Sequence, residues 1–153
     1  SKRVELMDNY VEKNGIEVKS GAKELLSFLK ENGYKVALAT ATPPQRAERY
    51  LKAHDLYKYF DVTVSASMVS VGKPAPDIYL KAAEMLGLSP QNCVALEDSP
   101  NGIKSASSAG CVTVMVPDLD KPSNDIIPLL HGVADGLSDV KRILRELEDC
   151  NIQ

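Results

Sequence analysis

Tryptophan is absent from the 153 residues, and aromatic side chains make up only 5% of them. Proteins that grip single-stranded nucleic acid stack its bases on aromatic rings, and few rings are available here. No basic stripe compensates: the formal net charge is -3, so nucleic acid is not an expected partner. No apolar run approaches the length of a membrane span, and no charged-then-apolar leader opens the chain, so no membrane contact is expected. Cysteine is scarce and odd in number, with Cys93, Cys111 and Cys150 showing no C-x-x-C spacing. Neither a disulfide framework nor a zinc site is expected from that pattern. Cys93 and Cys111 stand in apolar, strand-like runs, where cysteine behaves as a small hydrophobe. A cytoplasmic location is the expectation that follows.

What is present is an ordinary globular composition, 44% hydrophobic and 25% charged, of a length that favours one domain. The chain alternates helix-like and strand-like segments. Residues 4–14 read as a helix. Over residues 20–31, Leu25, Leu26 and Leu29 share one helical face, and Asn32-Gly33 ends it. Lys35–Thr40 is an apolar run of strand length. Thr42-Pro43 reads as an N-cap with proline in the first helical position, opening a helix toward Leu51. Residues 61–65 are strand-like, and 75–86 form a helix closed by Gly87. Residues 93–96 are a fully apolar strand, and Ser99-Pro100 caps a helix that Gly110 terminates. A further strand over 112–116 and a helix over 137–147 complete the order. Short, continuously apolar strands between helices indicate a buried parallel sheet, so the expected class is α/β, three-layered and Rossmann-like.

In such sheets ligands bind beyond the carboxyl ends of the strands. The first of the strands read here ends in Thr40-Ala41-Thr42, the connection after the next carries Gly72-Lys73-Pro74, and a third ends in Glu97-Asp98-Ser99. A hydroxyl, a cation and a carboxylate pair would gather at one edge. Hydroxyl and backbone N–H groups hold phosphate oxygens, and a lysine neutralises them. Adjacent carboxylates offer the hard oxygens that magnesium takes alongside water and phosphate. Phosphoryl transfer needs positioning and charge neutralisation above all. Singly, each signal is bland: a strand-end threonine, a solvated loop lysine, acids complementing a helix dipole. Their convergence on three strand ends is what points to a site.

The runs Val36-Ala37-Leu38-Ala39-Thr40, Val71-Gly72-Lys73-Pro74-Ala75-Pro76-Asp77-Ile78-Tyr79 and Val94-Ala95-Leu96-Glu97-Asp98-Ser99-Pro100-Asn101-Gly102 closely resemble the haloacid dehalogenase superfamily. Within it the chain resembles the subgroup of β-phosphoglucomutase and small sugar-phosphate phosphatases, from about Val18 to the C-terminus. The resemblance implies that Thr40 binds the transferring phosphoryl group with the Ala41 amide beside it and Thr42 and Gln45 as further polar contacts. It implies that Lys73 bridges phosphate and nucleophile, that Glu97 and Asp98 hold Mg2+, and that Ser99 serves as a helix cap. The substrate class implied is a small phosphorylated metabolite, a sugar phosphate, hydrolysed through an aspartyl-phosphate or, in a mutase, rearranged. Pro43 and Pro44, just after the threonine, supply rigidity but no side-chain donor, which weighs against a specific phosphoglucomutase.

The superfamily's first strand ends in D-x-D-G, whose first aspartate is the nucleophile, and that string is missing. The only D-x-D is Asp118-Leu119-Asp120, followed by Lys121-Pro122, and it reads as a polar loop. The missing strand would be central, leaving two rows of backbone groups unpaired. The expectation is therefore a piece of a longer protein, with roughly 60–80 further N-terminal residues carrying that strand and most of a helical cap. Residues 1–17 would then be a cap remnant and 18–153 an incomplete core domain, inactive by itself. His54 and His131 lack metal-ligand spacing and read as surface or packing residues. Tyr50, Tyr57, Tyr59 and Phe60 are expected to pack between helix and strand. No G-x-G-x-x-G or G-x-x-x-x-G-K string occurs, so nucleotide loops are not expected. A two-component receiver domain offers similar residues in a different order, its acidic pair preceding Thr and Lys. A non-enzymatic interaction module is the other alternative, against which stand the intact Thr40, Lys73, Glu97 and Asp98.

Overall fold

The computed structural model describes residues 4–7, 22–116 and 122–152. Its elements, in chain order, are β1 (Val4–Met7), α1 (Ala22–Glu31), β2 (Lys35–Thr40), α2 (Pro44–Ala53), β3 (Val62–Ser65), α3 (Asp77–Leu86), β4 (Cys93–Glu97), α4 (Pro100–Ala109), β5 (Val112–Met115), β6 (Gly132–Val133) and α5 (Leu137–Ile152). The six strands form one sheet in the order β3-β2-β1-β4-β5-β6. Every pairing is parallel. Among the described residues, no helix is long and apolar enough to cross a membrane.

Strand parity explains both faces. Val36 and Leu38 of β2, with Val94 and Leu96 of β4 and Val114 of β5, join Leu25, Leu26 and Leu29 of α1 and Val140, Ile143 and Leu144 of α5 in one core. The alternate positions are small: Ala37, Ala39, Cys93 and Ala95 face Ala82 and Ala83 of α3 and Ala106 and Ala109 of α4. Large residues on one side fill the space under α1 and α5. Small residues meeting small residues on the other bring α3 and α4 close to the sheet. Each fully buried leucine contributes about 1.5–3 kcal/mol relative to exposure. Left-handed glycines end two helices, Gly87 at φ 77° and Gly110 at φ 94°.

Two expectations are corrected. Val4–Met7 belong to an extended strand, not to a helix over 4–14, and they fill the centre of the sheet. Val4 pairs with both Lys35 and Cys93, and Met7 with both Leu38 and Leu96. The cost of two unpaired backbone rows outweighs the weak helical preference of so short a segment. The centre is thus not vacant, although the strand there carries no D-x-D-G. The remaining residues of the expected cap remnant, 1–3 and 8–17, and the Asp118-Leu119-Asp120 loop lie outside the described residues. The second correction is local. Pro43, not Thr42, is the N-cap of α2, and Pro44 takes the first helical position. The Pro43 carbonyl accepts the Ala47 N–H at 3.0 Å, while Thr42 is engaged elsewhere.

Candidate active site

The carboxyl ends of β2, β1 and β4 adjoin, and the expected residues sit on that edge. In register, Leu38 and Leu96 are both level with Met7 of β1, so Thr40 lies two residues and Glu97 one residue beyond it. Two strand spacings separate them, about 10 Å across the sheet. The interval lies above the end of β1. In sequence the residue after Met7 is Asp8, followed by Asn9-Tyr10, and Asp8 is outside the described residues.

Glu97 follows the parity of Cys93 and Ala95, which directs its side chain into the layer of α3 and α4. Its side chain is 0% exposed. A buried carboxylate needs a counter-charge, and Lys73 supplies it from the β3–α3 connection, Nζ to Oε2 at 2.7 Å. The Tyr79 hydroxyl of α3 donates to the same oxygen. The Lys73 ammonium also lies 5.5 Å from the Tyr79 ring centroid, a cation–π contact. Oε1, the other oxygen, is buried and has no hydrogen-bond partner among the described residues. It rests against Gly102 in the first turn of α4, where a Cβ would intrude on the carboxylate closer than the 3.0 Å that such atoms keep. The positive end of the α4 dipole offsets part of the charge there. α4 begins as expected: Ser99 is its N-cap, accepting the Gly102 N–H at 3.1 Å, with Pro100 in the first helical position. Asp98, between Glu97 and this cap, is buried at 7% exposure.

On β2, Thr40 is 2% exposed, and its Oγ1 accepts the Thr42 N–H at 3.1 Å. Ala41 is exposed and Thr42 half-buried. Gln45 stands exposed in the first turn of α2. Lys73, Glu97 and Tyr79 therefore meet directly, while Thr40 lines the same edge across β1 without touching them among the bonds described. Sequence reasoning passed over three contributors. Tyr79 and Gly102 were legible only as letters of longer strings. Ser65, 1% exposed at the end of β3, donates to the Thr42 carbonyl at 2.9 Å; nothing in the sequence marked it.

The residues set aside are accounted for. His54 stacks on Tyr50 at 4.2 Å and its Nδ1 lies 2.9 Å from the Tyr50 carbonyl. The Nδ1 of His131 accepts the Thr113 N–H at 3.1 Å. Tyr59 and Phe60 pack against the α1/α5 core as expected, but Tyr57 is exposed and donates to Glu48. That bond, with Lys52 adding to it, holds the Glu48 carboxyl below its ordinary value.

The chain belongs to the haloacid dehalogenase-like hydrolases, whose family model matches residues 2–110. It is 40% identical over 124 residues to the "Phosphorylated carbohydrates phosphatase" of Thermotoga maritima, covering 81% of this chain and 50% of that protein. Among solved structures it is similar to CbbY from Rhodobacter sphaeroides in complex with phosphate, with TM-score 0.71 and 30% identity over 80% of this chain and 55% of that one. It is also similar to β-phosphoglucomutase from Clostridium difficile, with TM-score 0.75 and 25% identity over 89% of this chain and 59% of that one. The chain thus spans about half the length of the curated relative and little more of the solved structures.

Proposed function

We propose that the protein is a magnesium-dependent hydrolase of small phosphate monoesters, sugar phosphates above all, working through an aspartyl-phosphate. The observation that carries this reading is the ion pair of Lys73 with the fully buried Glu97 at the carboxyl edge, with one strand, β1, between it and Thr40. A cation held at 2.7 Å by a fully buried carboxylate is fixed in place and oriented before any ligand arrives. Its remaining donors are suited to a phosphate oxygen, and the Thr40 hydroxyl offers a second donor from the other side. The names of the relatives agree, a phosphatase of phosphorylated carbohydrates and a structure holding phosphate.

The donor set suits magnesium. Glu97 Oε1 is a buried acceptor without a hydrogen-bond partner among the described residues, and Asp98 adds a second carboxylate. Two adjacent carboxylates are the complement that magnesium takes alongside water and phosphate. Bound by Glu97 and Asp98, the ion would supply charge neutralisation for the phosphoryl group. Lys73 and Thr40 would hold the phosphoryl oxygens, and the Ala41 and Thr42 backbone would shape the loop around them. The nucleophilic aspartate is proposed to lie outside this chain, which by itself would not turn over. A cytoplasmic location belongs to the same reading. The mutase alternative has the β-phosphoglucomutase likeness in its favour, and the Pro43-Pro44 pair, which adds no side-chain donor, against it.

The test is calorimetric titration of inorganic phosphate into the protein with Mg2+, beside an aryl-phosphate assay. Phosphate binding should weaken about tenfold or more in Lys73→Met, and the chain should show no turnover. Binding unaffected by Lys73→Met would overturn the site. Turnover abolished by Asp8→Asn would place the nucleophile within the chain and overturn that part of the reading.

A further inference from the structure

We infer that Ser65 is a positioning residue for phosphate binding, setting the direction in which the Thr40 hydroxyl presents its proton. The inference rests on the phosphate-binding reading of the site. Thr40 and Ser65 are partners in register at the ends of β2 and β3, and both are buried. The Ser65 hydroxyl lies 2.9 Å from the Thr42 carbonyl, which can only accept, so Ser65 must donate. The lone pairs of its Oγ are directed at the Ser67 N–H, 3.4 Å away, and the Ser67 hydroxyl, 3.3 Å away. One proton and two lone pairs are all engaged, and the rotor is fixed.

Thr42 is held from both sides. Its carbonyl is tied to Ser65, and its N–H donates to Thr40 Oγ1 at 3.1 Å. An amide can only donate, so the Thr40 oxygen is the acceptor and its own proton turns away from the loop. Among the described residues no group accepts that proton. A buried hydroxyl whose donor is unspent and turned from the loop suits an anionic oxygen. Ser65 touches no ligand in this arrangement; it acts through Thr42 on Thr40. The signal was invisible in the sequence because the link passes through backbone atoms of a third residue.

The experiment is a double-mutant cycle on phosphate affinity in the full chain, measured by calorimetry below the unfolding range of every variant. Ser65→Ala should weaken inorganic phosphate binding by about fivefold to tenfold, the worth of one lost hydrogen bond. Thr40→Ala should weaken it at least as much. The double variant should bind within about twofold of Thr40→Ala alone, since Ser65 has nothing left to orient. Should Ser65→Ala not fold, Ser65→Cys, close in size with a weak donor, takes its place with the same expectation. Losses that add in the double variant would mean Ser65 acts on stability or the loop alone, and would overturn the inference. Unchanged affinity in Ser65→Ala would overturn it too, leaving the site intact. A wild-type chain that binds no phosphate would remove the reading on which both depend.

Discussion

Replacing Gly102 by alanine should destabilise the protein, against the ordinary preference of helices. In the first turns of a helix, alanine in place of glycine stabilises by up to about 1 kcal/mol. Here the added Cβ meets the Glu97 carboxylate at less than 3.0 Å. A carboxylate at the end of a flexible side chain would ordinarily swing aside. This one is 0% exposed and held by Lys73 and Tyr79. Moving it breaks the ion pair or pushes α4 outward. Overpacking costs about 1–3 kcal/mol, and breaking a buried pair about 3–5 kcal/mol. A net loss of about 2–4 kcal/mol is expected. At an m-value of about 2 kcal/mol/M, that lowers the urea midpoint by about 1–2 M, measured by circular dichroism. The same substitution in a Glu97→Ala background should lose its penalty and be neutral or stabilising. A single Gly102→Ala variant as stable as the wild type would refute the reasoning.

Tyr79→Phe removes one donor from the buried Glu97 Oε2 and keeps the ring; a loss of about 1–2 kcal/mol in chemical denaturation is expected. Leu96→Ala, in a fully buried position of the α1/α5 core, should cost about 2–5 kcal/mol by the same measurement. Asp139 is held below its ordinary value of 3.8 by Arg142 and by the Asp135 N–H. Its contribution is therefore complete above that value and lost as pH falls through the lower, folded one. The stability gap between wild type and Asp139→Asn should be flat at neutral pH and close at strongly acidic pH; a gap unchanged by acid would contradict the assignment.

Where the sequence could be read, the signals were local. β2 runs from Lys35 to Thr40 as its apolar run indicates, and Gly87 and Gly110 end helices in the conformation that glycine favours. Ser99-Pro100 opens α4 with the expected cap. The residues of the candidate site stood out because three strand ends carried complementary chemistry. What escaped was settled by distant partners. Four residues such as Val4–Met7 have no period long enough to separate strand from helix, and their state follows from two neighbours 31 and 89 positions away, as Lys35 and Cys93 pair with Val4. The N-cap of α2 shifted by one residue because the Thr42 backbone is spent on Thr40 and Ser65. The two-residue β6 gave no signal above its surroundings.

The Glu97 carboxylate is a junction at which three stretches of chain meet: the connection carrying Lys73, the first turns of α3 through Tyr79, and the first turns of α4 through Gly102. For a lineage of such chains the consequence is a lock on change. A bulkier residue at 102 is admissible only once position 97 has shortened, and a neutral residue at 97 leaves Lys73 without its anchor. These positions can drift only in concert, through intermediates less stable than either end, so the junction should outlast the surfaces around it.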